Sequence, residues 1–245
     1  MLTDLFLAGR GRGVISPEDL AALDAIVSGP HEVPARTTLI RRGEPVERST
    51  YLLDGYVCRY MDDRQGHRQL VAIQVPGDFI DLHAYPMKRL DHDVATLGPA
   101  RVAYADHRAI DKLVRERPML TRMLWYSTLL DAAMHREWIF RLGRLGANGR
   151  IAHLMCELDV RLSMVGLSKD GRFSLPITQM DLAEACGVTN VHANRTLRAL
   201  RDRDLMTFKS GEVVIHNLKA LAALAEFEPE YLYADWSVDL SQVEG

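Results

Sequence analysis

The sequence is poor in cysteine, with three in 245 residues, and Cys58, Cys156 and Cys186 stand far apart. That spacing offers neither a disulfide framework nor a paired-cysteine metal site. No uncharged apolar run approaches the ~18–20 residues of a membrane span. Residues 1–14 carry no sustained apolar stretch ahead of a cleavage-like site, so no secretion signal is expected. Basic excess is missing too: Lys and Arg total 30 against 33 Asp and Glu, a formal net charge of −3. This argues against a chain coated in positive surface for indiscriminate polyanion binding, but leaves room for a local basic patch. What is present is ordinary globular composition, 47% hydrophobic and 26% charged, enough for one large domain or two modest ones. A reduced, cytoplasmic protein is the expectation.

Ser16-Pro17-Glu18-Asp19 opens a helix, with Ser16 as cap, Pro17 at the first position and Asp19 at the positive end of the dipole. Leu20, Leu23, Ile26 and Val27 carry it to about Ser28-Gly29-Pro30. Turn signals then recur at Gly43, Gly55, Gly66 and Gly77, separated by short runs such as Thr50 to Leu53 and Gln69 to Gln74. Short strands at this spacing predict an antiparallel sandwich or barrel over about residues 33–106.

Pro118 begins a long helical segment with a seam at Leu120, Met123, Ser127, Leu130, Met134, Trp138 and Leu142. Its steps of 3 and 4 resemble a coiled-coil repeat with a stutter. A helix lying on the barrel is one reading. A second apolar face (Leu124, Leu129, Ile139) and a length of about seven turns favour a dimer helix. Gly143, Gly146 and Gly149 then suit a hinge.

Residues 175–205 hold the most specific pattern. Thr178 caps a helix that has Asp181 at its third position, Gly187 permits a tight turn, Val188 plugs the corner, and Thr189 caps a second helix. This is a helix-turn-helix, whose second helix enters the DNA major groove. Its outward base-reading positions are Asn190, Val191, His192, Asn194 and Arg195; Asn pairs with adenine and Arg with guanine. Thr178, Gln179, Thr189 and Arg198 are placed for the phosphate backbone. Residues 189–203 hold four arginines and one acid, a local basic patch in an acidic chain. Phe208 to Ile215 reads as a hairpin wing with Lys209 near its tip, also within reach of phosphate.

In this order, the elements resemble the CRP/FNR family of bacterial transcription regulators over about residues 15–225. The most specific matches are the Pro76-Gly77-Asp78-Phe79-Ile80 turn, the Gly149-Arg150-Ile151-Ala152 start of the second domain, and the helix-turn-helix. The resemblance implies an α+β chain: an N-terminal antiparallel β-roll (jelly roll) over 1–117, a dimerisation helix and hinge over 118–148, and a C-terminal winged helix-turn-helix over 149–226. It also implies a homodimer on double-stranded DNA, with RNA polymerase as a further partner. Cyclic-AMP-binding members carry Gly-Glu and Arg-Ser pairs where this chain has Asp81-Leu82 and Leu90-Asp91. A carboxylate in the phosphate's place argues against that ligand. With no cysteine before Cys58, the family's N-terminal iron–sulfur cluster is not expected either, and no cofactor or metal is assigned. The family's recognition-helix glutamate becomes Val191, which suits a thymine methyl and implies a different half-site.

Asp78, Asp81, His83, Asp91 and His92 fall where the family places its effector, and His135 and Arg136 on the helix that contacts it. Polar loops around a vestigial pocket are the preferred reading. A metal- or haem-sensing regulator, or a small-barrel metal enzyme built on His83 and His92, is the alternative. Residues 227–245 carry five acids, no Lys or Arg, and Phe227, Tyr231, Tyr233 and Trp236. They suit either a disordered acidic tail or an aromatic segment docked on the body or a partner.

Overall fold

The computed structural model describes residues 1–234, so Trp236 and the rest of the acidic tail lie outside the described residues. Ser16 caps α1 (Pro17–Ala25) through the Asp19 amide, as its sequence signals. The helix ends at Ala25, short of the expected Ser28-Gly29-Pro30. Val27 already belongs to β1 (Val27–Val33), the first strand of a sheet that begins six residues earlier than expected.

Six more strands follow: β2 (Thr38–Ile40), β3 (Arg48–Asp54), β4 (Val57–Asp62), β5 (Arg68–Gln74), β6 (Asp93–Thr96) and β7 (Ala100–Asp106). A single-turn helix, α2 (Ala84–Met87), lies between β5 and β6. They form two antiparallel sheets, ordered β1-β7-β3 and β2-β6-β4-β5. Leu52, Val57, Ile80, Val94 and Val102 fill the space between them, giving the expected β-roll. At the Pro76–Phe79 turn, Gly77 has φ 98°, and a Cβ there would strike the Leu5 carbonyl. Only glycine permits both the conformation and the approach.

Helix α3 (His107–Glu116) leads into α4 (Pro118–Arg144), 27 residues long. α4 runs through Gly143, and the break before α5 (Ala147–Met164) narrows to Leu145 and Gly146. The C-terminal region then holds β8 (Arg172–Ser174), α6 (Gln179–Cys186), α7 (Asn190–Asp202), β9 (Met206–Lys209), β10 (Glu212–Ile215) and α8 (Leu218–Ala225). Its sheet is ordered β8-β10-β9. β8 extends the expected hairpin by a third strand; at three residues it shows too little alternation to be read from sequence.

One continuous core joins the two regions. Cys58, Leu70 and Ile73 of the β-roll pack in the same cluster as Leu154, Leu158 and Leu182. Polar contacts reinforce the seam: Tyr56 Oη donates to the Ser174 carbonyl at 2.5 Å, and Arg161 Nη2 donates to Asp78 at 2.7 Å. All three cysteine thiols are buried within this core. Burial pushes Cys58 and Cys156 up to about 12 and Cys186 up to about 11, leaving little thiolate for redox chemistry.

Both ends of the described residues are docked. Phe6 is buried edge-on against Phe79, with ring centroids 5.7 Å apart, and buried Arg10 donates to Met164 Sδ. At the other end Tyr231 Oη donates to Glu157 at 2.9 Å, and Leu232 is buried. Glu157 also accepts from Trp138 Nε1 at 3.1 Å and Arg161 Nη1 at 3.2 Å. Burial opposes its charge, but Arg161 and Arg141 outweigh burial and hold its pKa low. For residues 227–234 the docked reading of the tail therefore holds, because the aromatics meet a buried carboxylate and the ring of His153.

Candidate nucleic-acid interface and effector cavity

The helix-turn-helix forms as its sequence dictates. The Thr178 side chain accepts from the Asp181 amide, while the Asp181 carboxylate accepts from the Thr178 amide, a complete capping box. Gly187 ends α6 with φ 60°, and Thr189 Oγ1 accepts from the His192 amide at 3.2 Å to start α7. Leu182, Ala183, Ala193, Leu197 and Leu200 bury the inner faces of the pair.

This burial leaves the opposite face of α7 outward. Val191 is 80% exposed, and Asn194 and Arg195 are exposed while Asn190 and His192 are half-buried. Asn194 Nδ2 donates to the Asn190 carbonyl at 3.1 Å, which sets its orientation. Arg198 pairs loosely with Asp202 at 3.6 Å. Arg195 has no hydrogen bond or ion pair among the described residues, so its five donors are free. Thr178 and Gln179 lie exposed at the start of α6. The β9–β10 turn at Ser210 and Gly211, both with positive φ, suits a tight hairpin and leaves Lys209 exposed beside it.

Two arginines that sequence reading missed join this surface. Arg36, in the β1–β2 loop, pairs with Asp181 at 2.5 Å and lies 3.5 Å from Thr178 Oγ1. Arg68 of β5 pairs with both Asp181 and Glu184. Burial works against the Asp181 carboxylate, but bonds from Arg36 and Thr178 outweigh it and keep its pKa low. The pairings span more than a hundred residues and leave no local signal.

The second feature is a cavity of about 530 Å³ between β4, β5, the β5–β6 connection and α4. His83, Asp91, His92 and His135 line it. Three expected residues do not. Asp78 turns away to Arg161. Asp81 is fully buried beneath β3, accepting from the Thr50 amide and hydroxyl. Arg136 is exposed and outside the lining. Chain proximity grouped these residues, but the Gly77 turn and α2 point them to different sides. The lining includes Arg59, Asp131 and Trp138 instead. Among the described residues, no group of three or more His, Cys, Asp or Glu is placed to hold a metal ion.

The cavity's polar groups are largely committed. Arg59 Nη1 donates to Asp131 at 2.5 Å, and Nε donates to the Ile80 carbonyl at 2.9 Å. Burial opposes the Asp131 charge, but Arg59 and His135 keep its pKa below the usual value. Burial first, then Arg59, pushes His83 down to about 4, and the same two causes lower His92. Both imidazoles are therefore neutral at pH 7.

Asp81 supports a pH prediction. Burial pushes its pKa up to about 7 against the pull of its Thr50 bonds, while the unfolded carboxylate titrates near 4. The folded chain thus binds the extra proton, so this group's contribution is complete below pH 4 and fades as pH rises through about 7. Asp81→Asn should flatten the fall in melting temperature between pH 5 and 7.5. An unchanged pH profile would show that the carboxyl does not titrate in this window.

The faces of α4 are reassigned. Leu120, Met123, Leu130, Met134 and Trp138 are buried within the chain, and Ser127 and Leu142 are half-buried. The expected dimer seam is the helix's inner face, its apolar atoms taken up by the protein's own core. The outward apolar residues are Trp125 (67% exposed), Leu129 (52%), Ile139 (72%) and Phe140 (43%). Among the described residues no helix is long and apolar enough to cross a membrane.

Comparison with known proteins matches this architecture. The cyclic nucleotide-binding domain family matches residues 30–117, and the Crp-like helix-turn-helix domain family matches residues 149–224. The transcriptional activator protein FnrL of Cereibacter sphaeroides is 25% identical over 203 residues, 81% of this chain and 80% of its own. The cAMP-activated global transcriptional regulator CRP of Salmonella typhimurium is 22% identical over 191 residues, covering 77% of this chain and 90% of its own. The solved structure of FixK2 from Bradyrhizobium japonicum shares the fold, with a TM-score of 0.73 at 22% identity over 80% of this chain and 96% of its own. With the β-roll, the long helix and the winged helix-turn-helix in this order, the chain belongs to the CRP/FNR family of DNA-binding transcription regulators.

Proposed function

We propose that the protein acts in the cytoplasm as a homodimer that reads a two-fold symmetric operator, with α7 of each protomer in one of two successive major grooves. The observation that carries this is Arg195, unpartnered among the described residues and exposed on the outward face of a helix whose inward residues are buried. Arg195 reads guanine, Asn190 and Asn194 read adenine, His192 reaches a base edge, and Val191 meets a thymine methyl. Thr178, Gln179, Thr189, Arg198 and Lys209 hold the phosphates on either side. Arg36, beside Thr178, adds a cation from the β-roll.

Dimerisation runs along the outward face of α4. Trp125, Leu129, Ala132 and Ile139 fall at steps of 4, 3 and 7, a heptad seam separate from the buried one. The cavity is the effector site. Cyclic AMP is a poor fit: Arg59 is bound to Asp131, Leu90 is buried where the family's arginine stands, and Asp91 adds negative charge. RNA polymerase is a partner by family resemblance.

Selection of bound DNA from a random pool, followed by footprinting, tests this reading. The expected site is a palindrome with half-sites about one helical turn apart, occupied by two chains. Binding indifferent to sequence, or one chain on an asymmetric site, would overturn it.

A further inference from the structure

The cavity's chemistry changes along α4. Thr128, Asp131 and His135 line one stretch of it and Trp138, Ile139 and Leu142 the next, about two turns away. Val71 and Met61 add apolar wall from the strands. Its volume suits a small organic molecule.

Facing α4, one buried nitrogen of the lining has no partner among the described residues. His92 is only 8% exposed, and its Nε2 is buried with no hydrogen-bond partner among the described residues. Its other nitrogen, Nδ1, lies 2.8 Å from the Asp91 carboxylate, whose pKa is held low by that bond. A carboxylate there selects the Nδ1–H tautomer, so Nε2 presents a lone pair. A buried acceptor left without a donor is costly. The His83 ring lies 5.5 Å away, centroid to centroid, and closes that side. Arg59 is neutralised by Asp131, so among the described residues lining the cavity no free Lys or Arg awaits an anionic head group.

From this arrangement we infer that the cavity takes an uncharged molecule with an apolar, ring-sized body and one hydroxyl, whose O–H donates to His92 Nε2. The inference rests on the reading of this cavity as the effector site of a DNA-binding regulator. Excluded by the same chemistry are phosphates and carboxylates, which bring charge without a counter-ion, and pure hydrocarbons, which leave Nε2 unpaired. Trp138 and Val71 then cover the body, and the neutral His83 ring packs beside the hydroxyl.

The test uses the full-length protein and three probes of one shape: 4-propylphenol, its methyl ether 4-propylanisole, and 4-propylbenzoate. Calorimetry at pH 7 should show one phenol per chain, with the ether and the benzoate at least tenfold weaker. His92→Phe should abolish the preference for phenol over ether while keeping the apolar contribution. His92→Gln, which restores an acceptor oxygen, should recover part of it, and thermal melts confirm that both variants fold. No saturable phenol binding overturns the inference, as does equal affinity for phenol and ether, or a preference that survives in His92→Phe. Tighter binding of cyclic AMP or Zn²⁺ than of the phenol also overturns it. Operator affinity, measured by mobility shift with and without the phenol, separates the two levels. His92-dependent binding that leaves operator affinity unmoved upholds the ligand class and overturns the effector reading.

Discussion

Arg195→Ala should abolish recognition of the operator at one base position in each half-site. A paired arginine–guanine contact is worth about 1–3 kcal/mol of discrimination, and a two-fold symmetric complex loses two of them. The expected fall in specific affinity is therefore between about 30-fold and 10⁴-fold. Melting temperature should stay within a degree of the parent, because Arg195 is exposed and bonded to nothing among the described residues. Lys209→Ala offers the contrast. It should weaken all sequences alike and lower the salt slope by about one unit for each phosphate contact removed. If Arg195→Ala binds operator normally, α7 does not read bases through this residue, and the proposed docking fails.

Replacing Leu129 and Ile139 together by Glu should convert the protein to monomers at micromolar concentration, measured by sedimentation velocity. Both side chains are more than half exposed in the single chain, so the substitutions leave its core intact. In a two-helix seam they would place four like charges in an apolar contact, more than the exposed Arg136 of each chain can offset. Operator affinity should drop at least 100-fold as well, because the second half-site is no longer held at high effective concentration. A double variant that sediments as a dimer would move the interface off this face of α4.

Legibility from sequence followed the range of the interactions. The helix-turn-helix was readable because its determinants are local: Thr178, Asp181, Gly187 and Thr189 act within a few residues of themselves. The turns of the β-roll were readable for the same reason. In α4 the sequence carries two apolar stripes, and periodicity does not say which one the body covers. The stripe through Leu120 and Met134 faced inward and the one through Trp125 and Ile139 faced out. The residues grouped around the expected pocket separate in space because neighbours in a turn diverge: His83 lines the cavity while Asp81, two residues away, is buried beneath β3. Arg59 and Asp131 meet across 72 residues, and Arg36 and Asp181 across 145, with nothing in either neighbourhood to announce the partner.

The shared core of the β-roll and the recognition region bears on how such regulators diversify. Leu182 of α6 packs in one cluster with Leu70 and Ile73, and the carboxylate that caps α6 is also the one that Arg36 and Arg68 hold. A chimera joined at the α4–α5 break would carry the DNA-reading helix into a new sensor without those counterparts, exposing leucines and leaving Asp181 without its arginines. Signal and target are thus not independently exchangeable modules in this chain. New combinations of the two would have to arise by coordinated change across the seam rather than by recombination at the break.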